Sequence, residues 1–311
     1  MNVTEATGRL PFSIFPFNYH NYTDMVVIGD NMVFNTSKYR LIFRDGDPYL
    51  TMINWKTGKR FKRTVKVKDK SIVGKPYIID LQVTKDEKEL FVFFNMGRKS
   101  KLETFALVLN DNNQKQRQFC LTKSFDEHIV DVSVSKFEDN EYVFTGTYSA
   151  TPYGSSNGIY IGKSKGERMK FIKSYSFTGL TNFFKYLNAR KQRRIERKIN
   201  RKARKGKEFN MDYNIASHDV IKQGGRYNYI GESFYETFRI ETKTSTSGKV
   251  TTEYVFDGFQ YTHALIMSFD EDGELVWENS FKMFPTYKPY YIKRFISITE
   301  NGGDEINMIY T

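Results

Sequence analysis

Residues 131–177 read DVSVSKFEDNEYVFTGTYSATPYGSSNGIYIGKSKGERMKFIKSYSF, and this stretch decides the fold. Val132 and Val134 alternate with polar residues, and the apolar runs Tyr142–Phe144 and Ile159–Ile161 each follow a turn rich in Gly, Ser, Asn or Asp. Period-two alternation, interrupted by turns at intervals of about 8–12 residues, is typical of short β-strands. The stretch therefore predicts four antiparallel strands joined in chain order.

The same unit recurs along the chain. Copies are predicted at residues 25–67, 77–122, 131–177 and 219–281, and a fifth copy begins at residue 291. In the first copy, the second strand is assigned to Tyr39–Arg44. The third strands of the first three copies begin near Tyr49, Thr104 and Ile159, a spacing of about 55 residues.

A four-stranded repeat of this size predicts a β-propeller with long loops. One such sheet alone leaves its faces and edges bare, whereas radial stacking covers the faces. We therefore expect an all-β, propeller-like array of four-stranded antiparallel blades, with about four and a half to five copies in a single domain spanning 1–311. The ring closes if residues 1–24, with one strand at Phe12–Phe17, complete the last blade; otherwise the chain is an arc of a larger propeller.

The second strands of two copies share an aromatic run that ends in glycine, Tyr142–Gly146 and Tyr227–Gly231. With the four-strand period, this motif resembles bacterial β-propeller repeat proteins of the general Kelch/WD40 architecture. The resemblance covers most of residues 25–311. The Gly-His and Trp-Asp pair of WD40 repeats and the double glycine of Kelch repeats are missing, so the resemblance implies a fold and no function.

One segment differs from all the others: residues 181–207, TNFFKYLNARKQRRIERKINRKARKGK. Twelve Lys and Arg against one Glu give it a net charge of +11, out of +12 for the whole chain. Apolar residues recur at steps of three and four, which predicts an inserted basic α-helix. Thr181 is expected to cap its N-terminus and Gly206 to end it.

Two interpretations of this helix remain open. In the first, its apolar stripe docks on the β body and the cations form a solvated face. In the second, the cations bind an anionic partner, which is an acidic protein, an anionic lipid or a polyanion. Sequence-specific DNA binding is not expected, because no known DNA-binding motif surrounds the helix. The candidate binding residues are Arg190, Lys191, Arg193, Arg194, Arg197, Lys198, Arg201, Lys202, Arg204 and Lys205.

Three aspartates precede or open the apolar alternation of a first strand: Asp80, Asp131 and Asp219. First strands of a propeller line the central channel, so these acids would form a ring that could hold a cation or a polar ligand. Asp24 is a candidate first member, whereas the fifth copy has Lys293-Arg294 near the equivalent place. The alternative is that each aspartate accepts hydrogen bonds that join neighbouring blades.

The fourth copy contains an insertion at residues 236–261, predicted to be a β-hairpin that extends the blade. Its two Thr-rich alternating strands flank a Ser247-Gly248 turn. Long loops on a rigid scaffold often carry binding sites, so this hairpin is a second candidate contact surface.

Catalytic and cofactor signatures are lacking. The four histidines, His20, His128, His218 and His263, show no metal-ligand spacing, and no metal or other cofactor is expected. The single Cys120 excludes an intramolecular disulfide and is interpreted as a small buried apolar residue.

The sequence thus favours a non-catalytic binding or scaffold module that contacts its partner through the basic helix and the hairpin. The alternative is a glycan-active propeller hydrolase or lyase, with Asp131 and Asp219 as general acid and base. No apolar run is long enough to cross a bilayer, and the N-terminus lacks the pattern of a signal peptide. A cytoplasmic location is the default expectation, unless the chain is a portion of an exported protein.

Overall fold

The structure is a computed structural model. It describes residues 25–35, 48–67, 74, 76–98, 101–110, 116–138, 140–152, 154–207, 209, 211–244, 250–301 and 305–310. The predicted strands Phe12–Phe17 and Tyr39–Arg44, together with Asp24, His20 and the Ser247-Gly248 turn, lie outside these residues. The described part is mostly β, with several four-stranded antiparallel sheets and one helix.

Two four-stranded sheets come first, and in each the strands lie side by side in chain order. The first sheet contains β1 (Met25–Ile28), β2 (Asn31–Asn35), β3 (Tyr49–Asn54) and β4 (Arg60–Thr64). The second sheet contains β5 (Tyr77–Val83), β6 (Glu89–Arg98), β7 (Lys101–Asn110) and β8 (Gln116–Cys120).

The third and fourth sheets repeat this order, each with one additional short strand. The third sheet contains β9 (His128–Ile129), which pairs with β11, and β10 (Ser133–Glu138), β11 (Glu141–Ser149), β12 (Gly158–Lys165) and β13 (Arg168–Ser176). The fourth contains β14 (Asn214–Ser217), β15 (Ile221–Gln223), β16 (Arg226–Thr244), β17 (Val250–Phe269) and β18 (Leu275–Lys282). A fifth, two-stranded sheet contains β19 (Ile296–Asn301) and β20 (Glu305–Tyr310).

The first sheet differs from its prediction in one strand. The partner of β1 is β2 at Asn31–Asn35, a strand that the sequence analysis did not predict. Gly29 adopts a φ of +52°, which lets the chain reverse within two residues, so that Ile28 lies opposite Asn31. The two asparagines that bound β2 resembled turn residues in the sequence and concealed a strand with the buried Val33 at its centre.

The helix α1 spans Ala189–Ala203, which is shorter than the predicted segment 181–207. Its N-cap is Asn188, whose side chain accepts a hydrogen bond from the Lys191 amide at 3.0 Å, so the prediction of Thr181 as the cap is wrong. Residues 181–187 form turns instead, because Phe183 and Phe184 are buried there in the body. Gly206, at a φ of +61°, follows the last helical turn.

Apolar clusters join the sheets in chain order. Buried side chains of the first and second sheets form one cluster, and the second and third sheets share another. A third cluster joins the third sheet to the fourth, and a fourth one joins the fourth sheet to Ile296 of the fifth and to Phe295 just before it. Each sheet therefore covers a face of the next, which is how antiparallel sheets with two apolar faces avoid exposing either of them.

Candidate functional site

The basic helix docks on the body through few side chains. In α1 only Gln192, Ile195 and Ile199 are half-buried, and the two isoleucines pack against the cluster between the third and fourth sheets. Gln192 Nε2 also donates to the carbonyl of Leu187 at 2.6 Å. The apolar stripe of the helix therefore contacts the body, as the first interpretation requires, and the rest of the helix surface faces solvent.

The segment that leads into the helix is fixed to the fourth sheet by buried polar contacts. The Asn182 amide donates to Glu278 Oε1 at 2.7 Å, and Ser280 Oγ contacts the carbonyl oxygens of Asn182 at 2.7 Å and Phe183 at 2.8 Å. Phe183 itself is fully buried, at 5.2 Å between ring centroids from His263. The segment that precedes the helix is thus anchored to β17 and β18.

Every cation of the helix faces solvent. The ten candidate residues from Arg190 to Lys205 are all exposed, and within the described part of the chain none of them has an ion-pair partner. Like charges stand four residues apart along the helix, for example Arg193 and Arg197, and each such pair opposes helix formation by a few tenths of a kcal/mol. Arg190 and Lys191 also lie in the first turn, where the helix dipole disfavours positive charge by roughly 0.3–1 kcal/mol each.

The three candidate channel aspartates line one cavity. Asp80, Asp131 and Asp219 border a cavity of about 240 Å³, together with Val26 of the first sheet and Arg294 just before the fifth. Residues next to the first strand of all five sheets therefore meet at one place. The fifth copy has Arg294 near the place where the other copies have an aspartate, and this residue brings a positive charge into the cavity wall.

Hydrogen bonds between first strands account for part of this cluster. Asp80 accepts from the Leu81 amide at 2.8 Å and from Gln82 Nε2 at 2.6 Å. The Gln82 amide group also donates to the Val132 carbonyl and accepts from the Val134 amide, which joins the second sheet to the third.

Asp219 makes the corresponding link between the third sheet and the fourth. Its Oδ1 accepts from Ser133 Oγ at 3.2 Å. In the part of the chain that the structure describes, no three His, Cys, Asp or Glu side chains are grouped so that they could hold a metal ion. The three aspartates share a cavity without converging on one point.

A buried carboxylate that the sequence interpretation missed joins the fourth sheet to the fifth. Glu232 on β16 is fully buried; Oε1 contacts His218 Nε2 at 2.7 Å and accepts from the Phe295 and Ile296 amides at 2.9 Å. Glu232 directly follows the aromatic run that ends in Gly231, and an acid at that position is the signal that could have indicated it.

The insertion at residues 236–261 is formed by the outer parts of β16 and β17. Pairing continues from Phe238 opposite Phe256 to Thr244 opposite Val250, beyond the edges of the neighbouring strands. We call residues 237–244 and 250–257 the ribbon. At its base, Thr237 Oγ1 donates to the Gly258 carbonyl at 2.8 Å, and the Phe259 amide donates to the Pro289 carbonyl at 2.8 Å.

The remaining titratable candidates lie in the body. His263 is fully buried, and burial lowers its pKa to about 3. Cys120 packs partly buried against the cluster between the first two sheets, and burial raises the pKa of its thiol. Among the described residues, no helix combines the length and the apolar composition needed to span a membrane.

Comparison with known proteins gives no family. No protein-family description matches the chain, and no curated protein matches it. Among solved structures, one match is to apo AztD from Citrobacter koseri, with 9% sequence identity and a TM-score of 0.19. The match covers 85% of this chain and 86% of that one. At so low a TM-score, the match does not establish a common fold.

Proposed function

We propose that the chain is a non-catalytic binding module in which a propeller-like β body presents the basic helix to an anionic partner. Successive sheets packed face to face, with the starts of all five meeting at one cavity, favour a radial arrangement. In this arrangement the body supplies rigidity, the helix supplies affinity, and residues 236–261 supply a second contact surface.

The single observation that carries the proposal is a helix packed on the body through Ile195 and Ile199 while its cations are exposed and without ion pairs among the described residues. The charges repel one another along the helix and oppose its dipole, so they destabilise the element that bears them. An anionic partner would relieve this repulsion. Its binding would also release the counterions condensed on the partner, so the affinity would fall steeply as the salt concentration rises.

The test measures binding of heparin, as a model polyanion, by fluorescence anisotropy or titration calorimetry. The wild-type chain should bind at about 50 mM salt and lose most of its affinity by about 200 mM. The variant Arg193→Ala/Arg194→Ala/Arg197→Ala/Lys198→Ala should bind at least about tenfold more weakly, because it lacks four of the contacting charges. Alanine favours helix formation, so this variant keeps the helix.

A matched variant controls for the loss of net charge. Lys88, Lys165, Arg168 and Lys170 are exposed residues of other turns and strands without ion pairs among the described residues, and their replacement by alanine removes the same four charges. It should leave heparin affinity within about twofold of wild type. Equal losses in both variants would show that net charge alone, and not the helix, governs binding, and would overturn the proposal.

The glycan-active alternative has one observation in its favour, the cavity that Asp131 and Asp219 both line. Catalysis by two carboxyl groups needs a proton donor on one side of the scissile bond and a base or nucleophile on the other. Release of reducing ends from polysaccharides by the wild-type chain, abolished by Asp131→Asn and by Asp219→Asn, would favour this alternative. A wild-type chain without such activity favours the binding module.

A further inference from the structure

We propose that the ribbon and the basic helix together form a docking surface for an anionic lipid bilayer, in which the ribbon lays its apolar face on the membrane. This inference rests on the proposed function and names the partner class of the helix. The experiments below distinguish failure of this inference from failure of the proposed function, because the ribbon is not expected to contribute to binding of a soluble polyanion.

The ribbon has one face without charge. Residues directly opposite in an antiparallel pair share a face, so Phe238, Ile240 and Tyr254 lie on one side together with Phe256. The same side continues to the tip with Thr242, Thr252, Thr244 and Val250. The exposed fractions are 53% for Phe238, 62% for Ile240 and 74% for Tyr254, so this face is open to solvent.

The opposite face carries the charges, and they neutralise one another. Arg239 pairs with Glu241 at 2.7 Å between Nη2 and Oε1, and Lys243 pairs with Glu253 at 2.6 Å between Nζ and Oε2. At the base, Lys288 pairs with Asp257 at 2.8 Å. This face therefore has no net charge that would attract a charged partner. The face of the ribbon that calls for a partner is the exposed apolar one.

Helix and ribbon leave the body at the same end of the sheets. Ile199 and Ala203 of the helix line one cavity with Tyr148 and Asn157, where β11 ends and β12 begins. On the fourth sheet, Tyr186 stacks on His263, which lies opposite the last residue of β18 and directly before the strands continue into the ribbon. The helical segment, with its net charge of +11, and the exposed apolar face of the ribbon therefore both lie toward this end of the sheets.

This combination matches the chemistry of an anionic membrane surface. Basic residues draw a protein to acidic headgroups, and a modest apolar face then inserts at the boundary with the acyl chains. The outer edges of a two-stranded ribbon carry backbone amides and carbonyls without strand partners, which cannot enter hydrocarbon. The ribbon therefore lies flat, with its apolar face inward and its edges and paired charges at the level of the headgroups.

The continuation of the apolar surface supports the same orientation. Tyr290 packs on Phe256 with ring centroids 5.9 Å apart, and it is 63% exposed. Phe284 and Tyr291 of the same loop are also exposed, and Lys282 lies 4.3 Å from the Phe284 ring centroid. Aromatic rings accompanied by lysine are typical of protein surfaces at the membrane interface.

The experiment is co-sedimentation of the full chain with two kinds of vesicle, one of phosphatidylcholine alone and one with about one-third phosphatidylserine. We expect binding only to the second kind. The ribbon variant Phe238→Ser/Ile240→Ser/Tyr254→Ser should bind these vesicles roughly tenfold more weakly, with unchanged heparin affinity. The control Arg239→Gln/Glu241→Gln, on the other face and without a change in net charge, should bind like wild type.

A probe specific to each face serves as a second measurement in case the triple variant misfolds. In a Trp55→Phe/Trp277→Phe background, which removes both native tryptophans, the emission of Tyr254→Trp should shift to shorter wavelength with the phosphatidylserine vesicles. The emission of Thr251→Trp in the same background, on the charged face, should not shift. Unchanged emission of Tyr254→Trp, or full vesicle binding by the folded ribbon variant, would overturn the inference. So would wild-type self-association that the ribbon variant abolishes without vesicle binding, because a second copy would then cover this face.

Heparin binding without vesicle binding would likewise overturn this inference while leaving the proposed function intact. Failure to bind either heparin or vesicles would overturn both.

Discussion

The Tyr186 ring lies flat on the His263 imidazole, with ring centroids 3.6 Å apart and ring planes 3° from parallel. Tyr186 belongs to the turns that lead into the basic helix, and His263 belongs to β17 in the fourth sheet. Phe183 and Tyr213 meet the same imidazole edge-on, so three aromatic rings surround it. This contact is a principal link between the helix and the β body.

The first prediction concerns this link. Tyr186→Leu removes the stacked ring and the 3.1 Å contact of its hydroxyl with Tyr213, while it retains an apolar side chain. An aromatic pair contributes about 0.5–1.5 kcal/mol beyond its buried area, so local opening of the helix should become roughly 2–10 times more frequent. Limited trypsin digestion, monitored by mass spectrometry, should cut within residues 190–205 correspondingly faster.

Tyr235→Leu is the control, because Tyr235 is half-exposed on β16 and has no role in holding the helix. Trypsin should cleave the helix of the Tyr235→Leu variant at the wild-type rate. If Tyr186→Leu is also cleaved at that rate, the stacked pair does not hold the helix.

The second prediction concerns pH. Burial lowers the pKa of His263 to about 3 in the folded chain, whereas an unfolded histidine titrates near 6.5. The unfolded state therefore binds more protons between these values, and stability falls as pH decreases below about 6.5. At pH 5 the imidazole should cost roughly 2 kcal/mol of unfolding free energy relative to pH 8.

Urea unfolding of wild type and His263→Phe at both pH values checks this expectation. The carboxylates of the chain titrate in both proteins, so the difference between them isolates the imidazole. His263→Phe should show the smaller loss of stability between pH 8 and pH 5. An equal loss in both would mean that the buried imidazole is not responsible.

The third prediction concerns the carboxylate that the sequence interpretation did not find. Glu232 accepts from the backbone amides of Phe295 and Ile296, at the start of the fifth sheet, and contacts His218, all within the buried interior. Glu232→Gln replaces one accepting oxygen by a donor that faces other donors, which should cost about 2 kcal/mol or more. Chemical denaturation should report this loss, and hydrogen exchange should locate it at Phe295 and Ile296.

Glu253→Gln is its control, because Glu253 is exposed on the charged face of the ribbon and its loss should change stability by less than about 0.5 kcal/mol. Equal stability of both variants would mean that Glu232 does not join the two sheets.

Local patterns predicted the strands well where alternation was strong. The first strands of the first two sheets begin at Met25 and Tyr77, the residues at which the first two copies were predicted to begin, and the expectation of several four-stranded antiparallel sheets is confirmed. The strand Asn31–Asn35 was missed, because asparagines next to a turn resemble loop residues. The helix begins at Ala189 and not near Thr181, because burial of Phe183 and Phe184 overrides helical periodicity.

In the candidate site, too, the sequence predicted what a local repeat encodes and missed what depends on contacts between distant residues. Asp80, Asp131 and Asp219 occupy similar places in three repeats, so the pattern alone grouped residues that line one cavity. The contact of Glu232 with Phe295 joins residues 63 positions apart, and no local period encodes it. The division of the ribbon into an apolar and a charged face depended on the pairing register, which two bulges along β16 and β17 shift.

The last prediction tests why the second strands of two repeats end their aromatic run in glycine. A Cβ placed on Gly146 would overlap the carbonyl oxygen of Asp131 and lie 3.1 Å from the Val132 Cα. Both of these obstacles are backbone atoms next to β10, so no side-chain rotation can relieve them. Gly146→Ala should therefore destabilise the chain by roughly 1–3 kcal/mol beyond the cost of backbone strain, because the first strand has to move.

Gly166→Ala separates the two costs, since Gly166 has a φ of +64° and no atom within 4 Å of an added Cβ. It should lose only about 1–2 kcal/mol, the cost of a left-handed backbone for alanine. Thermal or urea denaturation compares the two variants directly. If Gly146→Ala is no less stable than Gly166→Ala, the close approach of β10 to β11 does not explain the glycine, and the shared motif of the repeats needs another physical cause.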